Sequence, residues 1–130
     1  MDEPTAYQPR RTARSQFVRV RGLRHHLLSW GEPTLVTPSR PPLVMLHGWM
    51  DVAASFQFVV DELPSERWVI AFDWRGFGLT DTPAADTYWV PDYVGDLDAV
   101  LDALVPGQAI DLVGHSMGGN VAMLYAGLRP

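Results

Sequence analysis

The stretch that most constrains this chain is residues 109–126, an apolar run that leads to a serine framed by glycines. The run between Gly107 and Gly114 predicts a short buried strand, and the residues after Gly118 favour a helix. Ser116 therefore lies at the tip of a strand-to-helix turn, in a G-x-S-x-G pattern. So sharp a turn predicts a strained serine with positive φ, and small flanking residues let the strand and the helix pass close together.

A serine in this position is predicted to expose its hydroxyl above the carboxyl end of the strand and at the amino terminus of the helix. The unpaired N–H groups and the dipole of the helix favour a developing negative charge there. This arrangement suits a nucleophile that attacks a carbonyl carbon. The pattern alone is also compatible with a glycine-rich turn that binds a phosphate or only packs tightly.

The composition predicts one ordinary globular domain and excludes several kinds of chemistry. With 130 residues, 47% apolar and 19% charged, the chain has room for a single core. It contains no cysteine, which excludes a disulfide framework, a thiol nucleophile and a cysteine-ligated metal. All ten basic residues are arginine, so a lysine base and Schiff-base chemistry are excluded as well.

The net charge of −5 is unevenly distributed along the chain. Residues 1–40 hold seven arginines against three acids, whereas residues 41–130 hold three arginines against twelve acids. Because the arginines are scattered and the remainder is acidic, we expect no nucleic-acid partner. Residues 1–16 are polar and no 18-residue apolar run occurs, which predicts no membrane partner and a cytoplasmic location.

Short strands and helices alternate along the chain after a flexible amino-terminal arm, which is predicted for residues 1–16. The predicted strands are 17–23, 25–30, 42–48, 67–73 and 109–113, and the predicted helices are 53–63, 91–104 and the one after Gly118. This order predicts an α/β fold with a doubly wound, mostly parallel sheet and an antiparallel amino-terminal strand. Ligands of such sheets bind beyond the carboxyl ends of the strands, where His47, Asp73 and Ser116 all fall.

Two of the predicted helices carry patterns that assign their faces. The spacing of apolar residues in the helix 53–63 gives one buried face, formed by Phe56, Val59, Val60 and Leu63. The helix 91–104 carries acids that are predicted to form a solvated face rather than a metal site, namely Asp92, Asp96, Asp98 and Asp102.

Three motifs follow one another along the chain. They are His47-Gly48-Trp49-Met50-Asp51, Asp73-Trp74-Arg75-Gly76-Phe77-Gly78 and Gly114-His115-Ser116-Met117-Gly118-Gly119. Together they resemble the α/β-hydrolase superfamily, in its esterase, lipase and C–C hydrolase branch with a serine nucleophile. The similarity covers about residues 17–130, and Thr80 stands where the family more often has serine.

The resemblance implies a role for several residues around the turn. Ser116 is similar to the nucleophile, and the backbone N–H groups of Met117 and Trp49 are similar to the two donors of the oxyanion hole. The side chains of Trp49 and Met50 are expected to line the acyl pocket. A role in packing alone remains open for both side chains.

The other motif residues are expected to support this site rather than to react. In the family, the residue at the position of His47 shapes the oxyanion loop. We do not expect His47 to be the catalytic base, because the triad runs in the order serine, acid, histidine. His115 is expected to face packing or a neighbouring loop. The remaining positions are expected to hold loops or permit close approach: Gly48, Asp51, Asp73, Arg75, Gly76, Gly78, Gly114, Gly118 and Gly119.

Neither a histidine nor an acid follows Ser116 in these 130 residues. Relative to the family, the sequence therefore predicts the amino-terminal half of a hydrolase, truncated after the helix that follows Ser116 and without a lid. The strand 109–113 would then leave a hydrophobic free edge through which the protein can self-associate. Without its base a serine hydroxyl is a weak nucleophile, so the chain alone is expected to be feebly active.

The function predicted from the sequence is that of a serine hydrolase that acts on a small-molecule ester or related acyl substrate through an acyl-enzyme intermediate. No cofactor and no metal are expected. The alternative is a non-catalytic binding or regulatory protein built on a truncated hydrolase fold. Hydrolysis of C–C bonds and acyl transfer stay open, whereas relatives with an aspartate nucleophile are disfavoured because position 116 is serine.

Overall fold

Five strands form one open sheet in the order β1-β2-β4-β3-β5 in the computed structural model, which describes residues 1–130. The strands are β1 (Arg14–Val20), β2 (Leu23–Trp30), β3 (Leu43–Leu46), β4 (Val69–Phe72) and β5 (Asp111–Gly114). The helices are α1 (Gln57–Asp61), α2 (Val90–Leu104) and α3 (Met117–Leu128), with 3₁₀ segments at Pro33–Leu35 and Ala53–Phe56. None of the helices is both long and apolar enough to cross a membrane.

The strand directions confirm the predicted α/β fold. Strand β2 pairs antiparallel with both β1 and β4, whereas β3 pairs parallel with β4 and β5. Four strands therefore run in one direction and β2 alone runs against them. The hairpin between β1 and β2 closes over Arg21 and Gly22, whose φ values of 49° and 77° are those of a primed two-residue turn.

The core lies on both faces of the central strands, because β3 and β4 are buried along their whole length. Alternate residues of the two strands point to opposite sides. One side packs under α2 and α3 through Val44, Leu46, Ile70 and Phe72. The other packs against Trp30, Phe56 and Val60 through Leu43, Met45, Val69 and Ala71.

The predicted helix 53–63 is divided between the 3₁₀ segment and α1, and one of its inward positions is wrong. Phe56 and Val60 are buried as predicted, but Val59 is 48% exposed. A 3₁₀ segment turns every three residues rather than every 3.6, so the face that a regular helix would bury does not continue through it.

The amino-terminal arm is shorter than the sequence predicts, and hydrogen bonds hold it against α1. Strand β1 begins at Arg14, so the boundary at residue 16 is wrong by three residues. The buried carboxylate of Asp61 holds the segment before it, because it accepts the backbone N–H groups of Arg10 and Arg11 and the hydroxyl of Tyr7. The Arg11 guanidinium in turn donates to backbone carbonyls at the end of α1.

The acidic face predicted for α2 is wrong at Asp96, whose side chain is fully buried. Arg75 donates to both of its oxygens, at 2.6 and 2.7 Å, and Arg21 donates to one of them at 2.8 Å. Burial raises the pKa of this carboxyl, but the hydrogen bonds and the positive charge of Arg75 outweigh it and lower the pKa to about 2. Asp96 therefore ties α2 to the loop after β4 and to the β1–β2 turn.

Strand β5 lies at the edge of the sheet, as predicted. It pairs with β3 on one side, and no strand pairs with it on the other side. Val113 on this strand is 45% exposed. Several apolar residues of the adjoining helix α3 are also exposed, namely Met123, Leu124 and Leu128.

Replacing Asp96 by alanine is expected to destabilise the protein by about 3–5 kcal/mol, because the arginines that it pairs lose a buried partner. The matched control is Asp102→Ala on the same helix, where the residue is exposed, and we expect a change within about 0.5 kcal/mol. Urea unfolding followed by circular dichroism measures both. A loss below about 1 kcal/mol for Asp96→Ala would place this ion pair among the weak surface pairs.

Candidate active site

Ser116 lies in the two-residue connection between β5 and α3 and has the strained backbone that its motif predicts. Its φ is 53° and its ψ is −117°, a conformation that residues with a Cβ atom rarely adopt. The residue is exposed, and its side chain makes no capping hydrogen bond to the helix that it begins. The hydroxyl is therefore free at the amino end of a 12-residue helix.

Gly114 and Gly118 are required by close approach at this turn. A Cβ atom at Gly114 would collide with the backbone of Gly118, and one at Gly118 would collide with the carbonyl of Leu46 and lie 2.7 Å from that of His47. Strand β3, strand β5 and the first turn of α3 thus meet without side chains between them. Gly119 sits in the same turn, where a Cβ atom would lie 3.3 Å from the Gly114 carbonyl oxygen.

The segment after β3, loop 47–53, lies against this turn. A Cβ atom at Gly48 would lie 3.2 Å from the Ser116 Cβ and 3.2 Å from the His115 Nδ1. Met50 at the tip of the loop has a positive φ of 58° and is 78% exposed. His115 is exposed and borders this loop.

His47 is fully buried, and both of its ring nitrogens are occupied. Its Nδ1 lies 2.7 Å from the Gly48 carbonyl oxygen, and its Nε2 accepts the backbone N–H of Trp74 at 3.0 Å. Because Nε2 accepts, the proton is on Nδ1 and is donated to the carbonyl. Burial lowers the pKa of this imidazole, which favours its neutral form. A ring held in this way has no nitrogen free to act as a base.

Asp73 and Trp74, which directly follow β4, hold the two ends of loop 47–53. At the start of the loop, the Trp74 indole N–H donates to the His47 carbonyl oxygen at 2.8 Å. At its end, the Ala53 backbone N–H donates to Asp73 Oδ1 at 2.8 Å. The other oxygen of Asp73 accepts the backbone N–H of Leu79 at 3.0 Å. One carboxylate therefore fixes loop 47–53 relative to the loop after β4.

The remaining motif residues also hold loops by hydrogen bonds. Asp51 Oδ1 accepts the Ser55 hydroxyl at 2.6 Å and the Val52 backbone N–H at 2.8 Å, and the bond from Ser55 lowers the pKa of this carboxyl. Arg75 is bound to Asp96, and Thr80 donates its hydroxyl to the Asp73 carbonyl oxygen at 2.7 Å. In the same loop, two glycines have positive φ, 81° at Gly76 and 55° at Gly78.

An aromatic surface lies at loop 47–53, the loop whose Gly48 borders Ser116. Trp49 is 52% exposed and packs edge-on against Phe77, with ring centroids 5.0 Å apart, and against Tyr88 at 6.0 Å. Sequence reasoning did not assign Phe77 or Tyr88 to the site. Phe77 lies inside the second motif, and this position could have indicated that it belongs to the site. Nothing in the sequence around Tyr88 indicates a role for Tyr88 there.

The comparisons with known proteins agree with this fold. The family model described as "alpha/beta hydrolase fold" matches residues 41–130. The chain therefore belongs to the α/β-hydrolase family and forms the amino-terminal half of that fold.

Relatives within the family are named for several chemistries. The chain is 39% identical over 90 residues to a serine hydrolase-like protein of Danio rerio, and covers 27% of it with 68% of its own length. It is 43% identical over 96 residues to 2-hydroxymuconate semialdehyde hydrolase of Pseudomonas sp. (strain CF600), with 68% of this chain and 32% of that protein covered. The crystal structure of epoxide hydrolase VrEH1 from Vigna radiata superposes with a TM-score of 0.77 at 29% identity, covering 91% of this chain and 36% of that one. The chain thus spans roughly a third of each of these proteins.

Replacing Gly118 by alanine is expected to destabilise the protein by about 2–3 kcal/mol, because the new methyl group meets the backbone of β3 and cannot be accommodated by a side-chain movement. Gly127→Ala on the same helix is the control, because a Cβ atom there has no neighbour within 4 Å. This second change is expected to stabilise the helix by about 0.5–1 kcal/mol. Thermal unfolding of both variants measures the difference, and equal effects would contradict the tight contact at Gly118.

Proposed function

We propose that this protein supplies the nucleophile and oxyanion hole of a serine hydrolase that acts on an ester or a related acyl substrate. The observation that carries the proposal is the exposed Ser116 hydroxyl at a strained turn, with φ of 53°, between β5 and the amino terminus of α3. In the proposed reaction, Ser116 Oγ attacks the carbonyl carbon and the alcohol leaves. Water then hydrolyses the acyl-Ser116 intermediate.

Two backbone N–H groups are proposed to stabilise the tetrahedral oxyanion. One is that of Met117 in the first turn of α3, and the other is that of Trp49 in loop 47–53. The contact between Gly48 and Ser116 supports this pairing, because it brings loop 47–53 to the turn that carries the nucleophile. A donor of this kind typically contributes about 10²–10³ in rate.

The general base and its acid are proposed to come from outside these 130 residues. His47 has both ring nitrogens engaged, and His25 is buried beside Asp96, 3.5 Å from its carboxylate. No histidine or acid follows Ser116. An oxyanion hole and substrate binding without a triad still give about 10³–10⁴ over water, so the residues present are expected to retain weak activity.

The substrate is proposed to be a small molecule whose acyl part contacts the side chains of Trp49 and Met50. The exposure of both residues, which follow Gly48 in the loop that borders Ser116, supports this, because exposed apolar side chains can bind apolar groups. Cleavage of a C–C bond is the second candidate, and it is favoured by the 43% identity to 2-hydroxymuconate semialdehyde hydrolase. Epoxide opening by a carboxylate nucleophile is not proposed, because position 116 is serine.

The exposed edge of β5 supports one further part of this proposal, self-association of the chain. An unpaired edge with apolar neighbours can pair with another strand.

The protein expressed from its whole open reading frame is expected to react with a fluorophosphonate probe at Ser116. Phosphonylation requires an activated, accessible serine, so Ser116→Ala should abolish labelling of the peptide that contains residue 116. Peptide mass spectrometry identifies the labelled residue.

The matched control is Ser55→Ala. It removes another serine, whose hydroxyl donates a hydrogen bond to a carboxylate, and should leave the label at residue 116 unchanged. A folded protein that is not labelled at Ser116 would contradict the proposal. That outcome would favour the non-catalytic binding alternative.

Residues 1–130 expressed alone are expected to hydrolyse a p-nitrophenyl ester at a low steady rate, about 10³–10⁴-fold above that in water, because they hold no general base positioned at Ser116. Steady-state release of p-nitrophenolate measures this rate. A kcat near 10 s⁻¹, about the median for enzymes, that is lost on Ser116→Ala would show that a base within these residues serves Ser116 after all.

A further inference from the structure

A second serine in this protein is hydrogen-bonded to a histidine–aspartate pair. Ser15 Oγ lies 2.6 Å from His26 Nε2, and His26 Nδ1 lies 2.9 Å from Asp73 Oδ2. The three residues come from β1, β2 and the end of β4, so this chain of hydrogen bonds exists only in the folded sheet. The Ser15 cluster, as we name Ser15, His26 and Asp73, has the order of groups that activates a serine in hydrolases.

The partners of Asp73 fix the direction of each proton in the Ser15 cluster. The Asp73 carboxylate accepts from His26 Nδ1 as well as from two backbone N–H groups, so in the neutral imidazole Nδ1 carries the proton. The other nitrogen, Nε2, is then an acceptor, and it faces the Ser15 hydroxyl. The hydroxyl therefore donates to the nitrogen that would take its proton.

The surroundings hold the histidine and leave the serine accessible. His26 and Asp73 are 6% and 3% exposed, respectively, whereas Ser15 is exposed on the outermost strand of the sheet. The backbone N–H of His26 donates to the Thr80 hydroxyl at 2.9 Å, and the Phe17 ring packs against the imidazole with centroids 5.1 Å apart. A small acyl donor can thus reach Ser15 Oγ while the base stays in place.

We propose that Ser15 is a second reactive serine, which captures the acyl group of small activated esters. Ser15 Oγ forms a bond to the carbonyl carbon while its proton moves to His26 Nε2. The bond between that carbon and the alcohol oxygen then breaks, and the proton passes to the departing oxygen. The products are acyl-Ser15 and one alcohol, and no further reactant is required.

The geometry predicts acyl capture rather than rapid turnover. A positioned general base contributes about 10²–10⁴ to the rate, and the Ser15 cluster has one. Ser15 lies within a regular strand and not at a helix terminus, so it lacks the preorganised donors that contribute about 10²–10³ at an oxyanion hole. The same lack slows deacylation, so the acyl group is expected to remain on Ser15.

This activity is independent of the function proposed for Ser116. Strands β1 and β5 form opposite edges of the sheet, so the two serines lie on different sides of the molecule. The test therefore uses residues 1–130 with Ser116→Ala as the background. With p-nitrophenyl acetate we expect a burst of about one equivalent of p-nitrophenolate per chain. Digestion with trypsin should then show the acetyl group on the peptide of residues 15–19.

Two comparisons test the role of the histidine. Ser55 is the internal control. Its hydroxyl donates to the Asp51 carboxylate directly, at 2.6 Å, and no imidazole lies between the two groups. We expect acetylation of Ser15 to be about a hundredfold faster than that of Ser55. Adding Ser15→Ala or His26→Gln to the background should abolish the burst, with circular dichroism to confirm folding.

Each outcome decides the proposal. A burst that maps to residue 15 and disappears in both variants supports it. The absence of an adduct on Ser15, equal rates at Ser15 and Ser55, or a burst that persists in folded His26→Gln protein would overturn it. If His26→Gln does not fold, the rate ratio of Ser15 to Ser55 in the background protein gives the answer alone.

Discussion

The hydrogen bonds that two consecutive residues make at the end of β4 determine where the candidate site can form. Asp73 and Trp74 hold opposite ends of loop 47–53, and His47 is the residue through which Trp74 acts. Each of these groups is buried, so an unmade bond would leave a polar atom without water, at a cost of about 1–3 kcal/mol. The loop therefore keeps one conformation, and Gly48 near its start remains close to Ser116.

Buried charge serves the same purpose one layer further from the site. Arg75 follows Trp74 directly in the chain, and its bidentate bond to Asp96 attaches that segment to α2. Desolvation makes a lone buried carboxylate costly, but the two arginines on Asp96 offset that cost in this setting. The acidic character of residues 41–130 is thus partly internal: Asp61, Asp73 and Asp96 are all buried, and each is held by several donors.

What the sequence predicts well is what neighbouring residues decide among themselves. The strained turn at Ser116 follows from two glycines and a serine within five positions, and the buried strands β3 and β4 follow from uninterrupted apolar runs. The environment of Asp96 depends on Arg21 and Arg75, which are distant in sequence and meet only when β1, β4 and α2 pack together. Helical periodicity places Asp96 among three solvated acids and carries no information about those partners. The attachment of Tyr7 to Asp61 and of Tyr88 to Trp49 was missed for the same reason.

The two serines separate requirements that a hydrolase must combine. Ser116 has the strained turn and the helix terminus, and its hydroxyl has no base among the residues described. Ser15 has an oriented histidine and a buried aspartate, but it lies in a regular strand without converging donors. A general base that activates the hydroxyl raises the reaction rate by about 10²–10⁴, and each oxyanion donor raises it by about 10²–10³. Neither serine alone therefore reaches the rate that both effects together would give. The fold therefore indicates where an active site can form, and the groups around each serine hydroxyl determine how reactive that serine is.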